Sequence, residues 1–263
     1  MPRWAFDQNQ TEGAAYYTNV SGVHAHSTTP VPALEEVDPS RLVGSIPVDH
    51  LTCDFQPIVN LHTGENLGYE VLPRCLGEGL GSHAELFARA TIEKRAGELG
   101  RALRTIAMRE ASGVALYMPV HPGELKDSYL VRPDDPIFGH EAPVFVQLMQ
   151  PALSTLGQQI VRELRNRSSI GLVIEGFGAG PATLKQIVDL QPSALKLDRE
   201  LLSGIDSNRR KQAVVRALVT MCHELGCQLI ASGVDCEAEL TAAIECGVMY
   251  AQGFVLGEAA PAV

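Results

Sequence analysis

The chain has 263 residues, 45% of them hydrophobic, enough for one large core or two modest ones. Its formal charge of −10 and pI near 5.3 exclude a protein that coats a nucleic acid polymer, because no basic stripe offsets the acidic field. No charge-flanked apolar segment opens the chain and no run of roughly 18 apolar residues occurs, so a cytoplasmic protein without membrane insertion is expected.

Residues 1–45 lack periodicity and are rich in Thr, Ser, Asn, Pro and Ala. They read as an N-terminal extension, partly disordered, with a short helix near Pro32–Val37. Trp4, Phe6, Tyr16 and Tyr17 would let this arm dock onto the body or a partner, and the His24-x-His26 pair is an isolated dipeptide rather than a metal site. Residues 46–263 form the folded domain. It opens with FQPIVNLHTGENLGYEVLPR, Phe55–Arg74, in which two apolar alternating runs flank the turn-forming His62-Thr63-Gly64-Glu65. A helical region from Ser82 to Ala111 follows, with Gly97 and Gly100 marking an expected break, then strands at Val114–Val120 and Val144–Met149.

From there strands and helices alternate. Ser154–Arg167, Ala182–Leu190, Asn208–Leu225 and Ala238–Cys246 carry helical spacing. Ile170–Phe177, Ala194–Leu197, Gln228–Val234 and Met249–Leu256 read as strands. Asp206 or Ser207 is the expected cap of the helix at 208–225, and Gly226 its terminator. Short apolar strands alternating with helices imply parallel pairing through crossovers. About eight strands in roughly 210 residues fit a closed (β/α)8 barrel of the TIM type, with an open doubly wound sheet as the alternative. The six cysteines show no CxxC spacing and read as reduced, space-filling thiols, and Cys222, His223 and Cys227 match no common zinc spacing. His121 and His223 read as packing or solvated residues.

In a barrel the C-terminal strand ends converge on one face. The residues there are Glu70 and Arg74, Pro119 and His121, Gln147, Glu175 and Gly176, Lys196 and Asp198, Ser232 and Asp235, and Gln252. Hydrolysis of a phosphodiester by two metals needs several carboxylates, because hard divalent cations take oxygen ligands. Proline and glycine supply no such ligand, and serine and glutamine are weak neutral ones.

The segment FQPIVNLHTGENLGYEVLPR resembles the opening of the EAL domain, a bacterial cyclic di-GMP phosphodiesterase, with Glu70-Val71-Leu72 in place of Glu-Ala-Leu. GLVIEGFGAGPATL, SALKLDRELL, LIASGVDCEAEL and AQGFVLGEAAP resemble later motifs of that family in the same order, over residues ~50–261. The resemblance implies a TIM-like (β/α)8 barrel of the EAL type. It matches Glu70 to the metal-binding glutamate, Lys196 to the family lysine and Gln252 to the closing glutamine. It also implies losses: Pro119 replaces an asparagine, Gln147 a glutamate, Glu175-Gly176 an Asp-Asp pair, and Ser232 a glutamate.

On this resemblance no catalytic set is intact, with Glu70, Glu175, Lys196 and Gln252 as remnants, and no metal is expected. Magnesium or manganese would matter only for residual hydrolysis. Gln56, Leu72, Arg74, Asp198, Gly233, Gln252 and Phe254 are the ligand-facing positions it implies, an arginine being well suited to phosphate oxygens. Glu258-Ala259 departs from the family's basic tail. Arg74 could instead pair with Glu70 or Glu78, Lys196 with Glu175 or Glu70, and Gly176–Gly180 reads as a strand-to-helix turn. The expected function is a catalytically inactive signalling protein, a cyclic di-GMP receptor or protein-interaction module. The alternative is a weak or repurposed phosphodiesterase. A protein partner and a homodimer are both expected, with Arg209-Arg210-Lys211 as an ordinary solvated face or an acidic-partner patch.

Overall fold

A computed structural model describes residue 46 and residues 48–76, 83–126, 129–149, 155–167, 170–178 and 184–261. The expected arm at 1–45, its short helix, the His24-x-His26 pair and Glu78 lie outside the described residues, as does part of the 176–180 turn.

Eight strands close into a barrel in sequence order. They are β1 (Leu51–Asn60), β2 (Asn66–Cys75), β3 (Leu116–Val120), β4 (Val144–Met149), β5 (Gly171–Phe177), β6 (Ala194–Leu197), β7 (Gln228–Ser232) and β8 (Tyr250–Gln252). The first two make an antiparallel hairpin across His62–Glu65, where the Asn60 side chain accepts hydrogen bonds from the His62 and Thr63 amides. The strand β1 is also antiparallel to β8, and the pairs from β2 through β8 are parallel. The helices are α1 (His83–Ile92), α2 (Ala96–Glu110), α3 (Thr155–Arg167), α4 (Leu184–Leu190), α5 (Arg199–Leu202), α6 (Arg209–Leu225) and α7 (Glu237–Glu245).

Two local expectations are corrected. The helix break falls at Glu93–Arg95, where Lys94 takes a left-handed φ of 58°, while Gly97 and Gly100 sit inside α2. Gly100 serves a close approach instead: a Cβ there would lie 1.7 Å from the Glu124 carboxylate. The cap of α6 is Asn208, whose side chain accepts from the Arg210 and Lys211 amides, rather than Asp206 or Ser207. Gly226 ends that helix in the left-handed region, as its sequence position predicts.

Strand alternation divides the core in two. Residues such as Cys53, Phe55, Leu116, Met118, Leu195 and Leu197 face outward and pack under the helices. Those between them face the barrel axis, where Ile58, Tyr117, Val173, Ala194 and Ile230 form an apolar layer bordered by Phe145 and Tyr250. Tyr117 stacks on Phe145 with centroids 4.5 Å apart.

Candidate functional site at the barrel mouth

Two residues along each strand from the apolar layer, the side chains face the axis again, one level closer to the mouth. Counting from Ile58 back along the antiparallel β1, and forward along the parallel strands, gives Gln56, Glu70, Pro119, Gln147, Glu175, Lys196, Ser232 and Gln252. One polar ring therefore sits directly on an apolar floor. Pro119 fits because the β2–β3 ladder ends at the Glu70↔Tyr117 pair, before the missing proline N–H is needed.

Glu70 is the hub of this ring and is only 4% exposed. Its Oε1 accepts from Lys196 Nζ at 2.5 Å and from Gln147 Nε2 at 2.7 Å. Its Oε2 accepts from Gln252 Nε2, which also donates to Gln56 Oε1 at 2.8 Å. The Gln56 amide in turn donates to the Gly257 carbonyl at 3.1 Å. Burial alone would raise the Glu70 pKa, but the Lys196 ammonium and the three side-chain hydrogen bonds outweigh it and hold the carboxyl below its usual range. Glu175 lies 3.9 Å from Lys196 and is pushed up to about 7, by burial first, with Glu70 and Asp198 adding to the rise against the pull of Lys196.

The structure thus brings Gln56, Glu70, Lys196 and Gln252 into one hydrogen-bonded cluster with Glu175 at its edge. Lys196 takes the Glu70 pairing that its sequence position suggested. Gly233 and Gln252 meet through backbone: the Gly233 and Val234 amides donate to the Gln252 carbonyl at 2.9 and 3.0 Å. That close approach requires Gly253, whose Cβ would fall 2.0 Å from the Val234 carbonyl oxygen. Phe254 stands 45% exposed beyond it. Asp198 caps α5 by accepting from the Glu200 amide at 2.8 Å. Leu72 and Arg74 continue the inner face of β2 toward the mouth.

Arg74 is the clearest correction within the site. Its Nε donates to Asp54 Oδ2 at 2.8 Å, and its ion-pair partner among the described residues is Asp54 rather than Glu70. Asp54 lies opposite Leu72 in the hairpin register and was not among the sequence candidates. A charged residue between the buried Cys53 and Phe55 was the available signal. Gln147 reads from the sequence as a strand-end residue and a weak neutral ligand, whereas the structure uses its amide N–H as a donor to Glu70, as an amide within the apolar run VFVQLM would suggest.

Toward metals, the geometry is unfavourable. Both Glu70 oxygens face N–H donors, Pro119 and Gly176 bring no side-chain ligand, and among the described residues no group of three or more His, Cys, Asp or Glu side chains could hold an ion. The donors that surround Glu70 suit an anion, and a divalent cation would have to displace them.

Residues 138–259 match the family model described as the EAL domain. That span contains Gln147, Glu175, Lys196 and Gln252, while Gln56, Glu70 and Arg74 precede it. The cyclic di-GMP phosphodiesterase RocR of Pseudomonas aeruginosa is 28% identical over 223 residues, covering 79% of this chain and 57% of that protein. Among solved structures, BlrP1 of Klebsiella pneumoniae in a manganese and cyclic di-GMP complex at pH 6 aligns with a TM-score of 0.70 at 25% identity, over 80% of this chain and 56% of that one. The Xanthomonas citri FimX EAL domain, solved with cyclic di-GMP, gives a TM-score of 0.70 at 21% identity, over 84% of this chain and 91% of that one, a likeness of fold. The chain thus spans a little over half the length of the phosphodiesterase RocR.

Proposed function

We propose that residues 46–263 form an EAL-type barrel that has exchanged hydrolysis for recognition, binding cyclic di-GMP as a signal without a divalent metal and passing it to a protein partner. The observation that carries this reading is the state of Glu70. The carboxylate that would anchor a metal is saturated by the Lys196 ammonium and the amides of Gln147 and Gln252. Metal-assisted hydrolysis draws on ligand count and an open coordination position, and this ring offers neither.

Recognition makes fewer demands. Arg74 and Phe254 remain accessible on the rim, one suited to a phosphate and the other to stacking beneath a base. The magnesium or manganese expected only for residual hydrolysis has no role in this binding mode. Action through protein contact without the dinucleotide is the second reading, favoured by the fact that Arg74 and Arg199 on the rim are already paired with Asp54 and Asp235.

The test joins a hydrolysis assay to a calorimetric titration, each with manganese, with magnesium and with chelator. Micromolar binding of cyclic di-GMP that survives chelation and is lost in Arg74→Ala, with no linear dinucleotide released, is the expected result. Turnover on the scale of ordinary enzymes, roughly 1–10³ per second, overturns the proposal. Silence of the titration at high ligand concentration moves the function to protein contact.

A further inference from the structure

Three cations of the mouth are each held by a carboxylate of the protein itself. Lys196 contacts Glu70 at 2.5 Å, Arg199 contacts Asp235 at 2.5 Å, and Arg74 contacts Asp54 at 2.8 Å. These pairs differ in how far an incoming anion could break them. Lys196 is buried within the ring. Arg199 is half-exposed at the start of α5, on the far side of the mouth from the hairpin. Arg74 keeps 38% of its side chain exposed, on the same inner face as Leu72 and Glu70.

Asp54 is fixed where it stands. Its neighbours Cys53 and Phe55 are buried on the outer face of β1, with the Cys53 thiol directed at the Leu103 carbonyl, so the alternation forces Asp54 inward. It pairs with Leu72 across the hairpin, and its carboxylate reaches the diagonal neighbour Arg74. The contact uses the guanidinium Nε, one of the donors through which an arginine grips a phosphate bidentately. A phosphate and Asp54 cannot both hold that donor in the same geometry.

We infer that Asp54 is an affinity-setting residue of the mouth, an internal surrogate for a ligand phosphate that an anionic dinucleotide must displace from Arg74. This rests on the receptor reading above. Binding is then an exchange of one anion for another on a single guanidinium, and it leaves Asp54 as a part-buried carboxylate without its partner. The Asp54 charge therefore weakens the complex, although it touches no ligand atom in it.

Titration with cyclic di-GMP of the wild type, Asp54→Asn, Arg74→Ala, the double variant and Glu65→Gln tests this. Glu65 is exposed in the hairpin turn at the opposite end of the barrel and controls for the loss of one negative charge. Asparagine preserves the shape and can still accept the Arg74 hydrogen bond. Asp54→Asn is expected to bind roughly 2- to 5-fold tighter, the range of a partly exposed ion pair, with Glu65→Gln unchanged. The gain should vanish in the double variant, because the coupling runs through Arg74. Cooperative melting of each variant establishes that it folds. If the wild type binds and Asp54→Asn binds equally or more weakly, the inference fails and the receptor reading stands. If no variant binds at high concentration, Asp54→Asn included, both fail. Binding by Asp54→Asn alone supports both.

Discussion

Among the described residues two ionic clusters are buried, and they are built in opposite ways. At the mouth, one carboxylate, Glu70, is surrounded by one ammonium and two amide donors. On the flank, one guanidinium, Arg104 in α2, is shared by two carboxylates. Its Nη1 donates to Glu124 at 2.5 Å and its Nη2 to Asp135 at 2.8 Å, with all three residues about 2% exposed or less. At the mouth three donor groups converge on Glu70, so its carboxyl is held below its usual range. The flank cluster has acids in excess, and burial pushes the Glu124 carboxyl up despite Arg104. Arg104 also ties together the turns Pro122–Lys126 and Pro136–Phe138, since Glu124 accepts from the His121 amide and Asp135 from the Ile137 amide. The flank cluster is scaffolding for the β3–β4 connection, and the mouth cluster is a carboxylate enclosed by donors at the C-terminal strand ends.

This contrast predicts an order of effects. Arg104→Met should be the most damaging change, costing about 3–5 kcal/mol in chemical denaturation, because two buried carboxylates lose the guanidinium they share. Lys196→Met should cost less, about 2–3 kcal/mol, since Glu70 retains two amide donors and can take up a proton. An equal or larger loss for Lys196→Met would erase the distinction between the clusters. Gln147→Glu places a second carboxylate against Glu70 and should lower stability by about 1–3 kcal/mol at neutral pH, with millimolar manganese restoring part of it. Equal stabilisation of the wild type by manganese would show that Glu70 is open to metal after all.

The pH dependence is the subtlest test. Glu175 has a folded pKa near 7 against an ordinary 4.5, so between these values the folded state holds a proton that the unfolded state has released. Stability from this group is therefore present below pH 4.5 and declines as pH rises toward 7. Glu70 has the opposite sign: its contribution is present above its ordinary range and is lost as pH falls through its lowered value. Glu175→Gln should flatten the decline between pH 5 and 7 by an amount on the order of 1–3 kcal/mol, read from urea midpoints across that window. An unchanged slope would place the titration elsewhere.

Much of the fold was readable because its signals are local. The Asn60-to-Glu65 turn, the period of α6 and its Gly226 stop each depend on a few adjacent residues. The errors arose where a distant partner decides. Gly100 looked like a helix breaker until Glu124 came to lie against it. The α6 cap is the local exception, three adjacent residues each being able to cap and Asn208 doing so. Arg74 had acidic neighbours in sequence, yet the hairpin register delivered Asp54 from 20 residues away. Glu70, Lys196 and Gln252 were found as strand-end residues with Glu70 a candidate partner of Lys196, but the amide bonds of Gln147 and Gln252 to Glu70 were not visible in any one segment.

The sequence by itself therefore determined the elements, because hydrophobic period, capping and turn chemistry act over a few residues. It also determined which residues face the barrel axis, because alternation along a strand leaves no other choice. The tertiary structure alone decided what those residues do to one another. Closing the barrel brings Gln252 to Gln56 across 196 residues and Lys196 to Glu70 across 126, and only that closure turns four separate polar side chains into one hydrogen-bonded cluster.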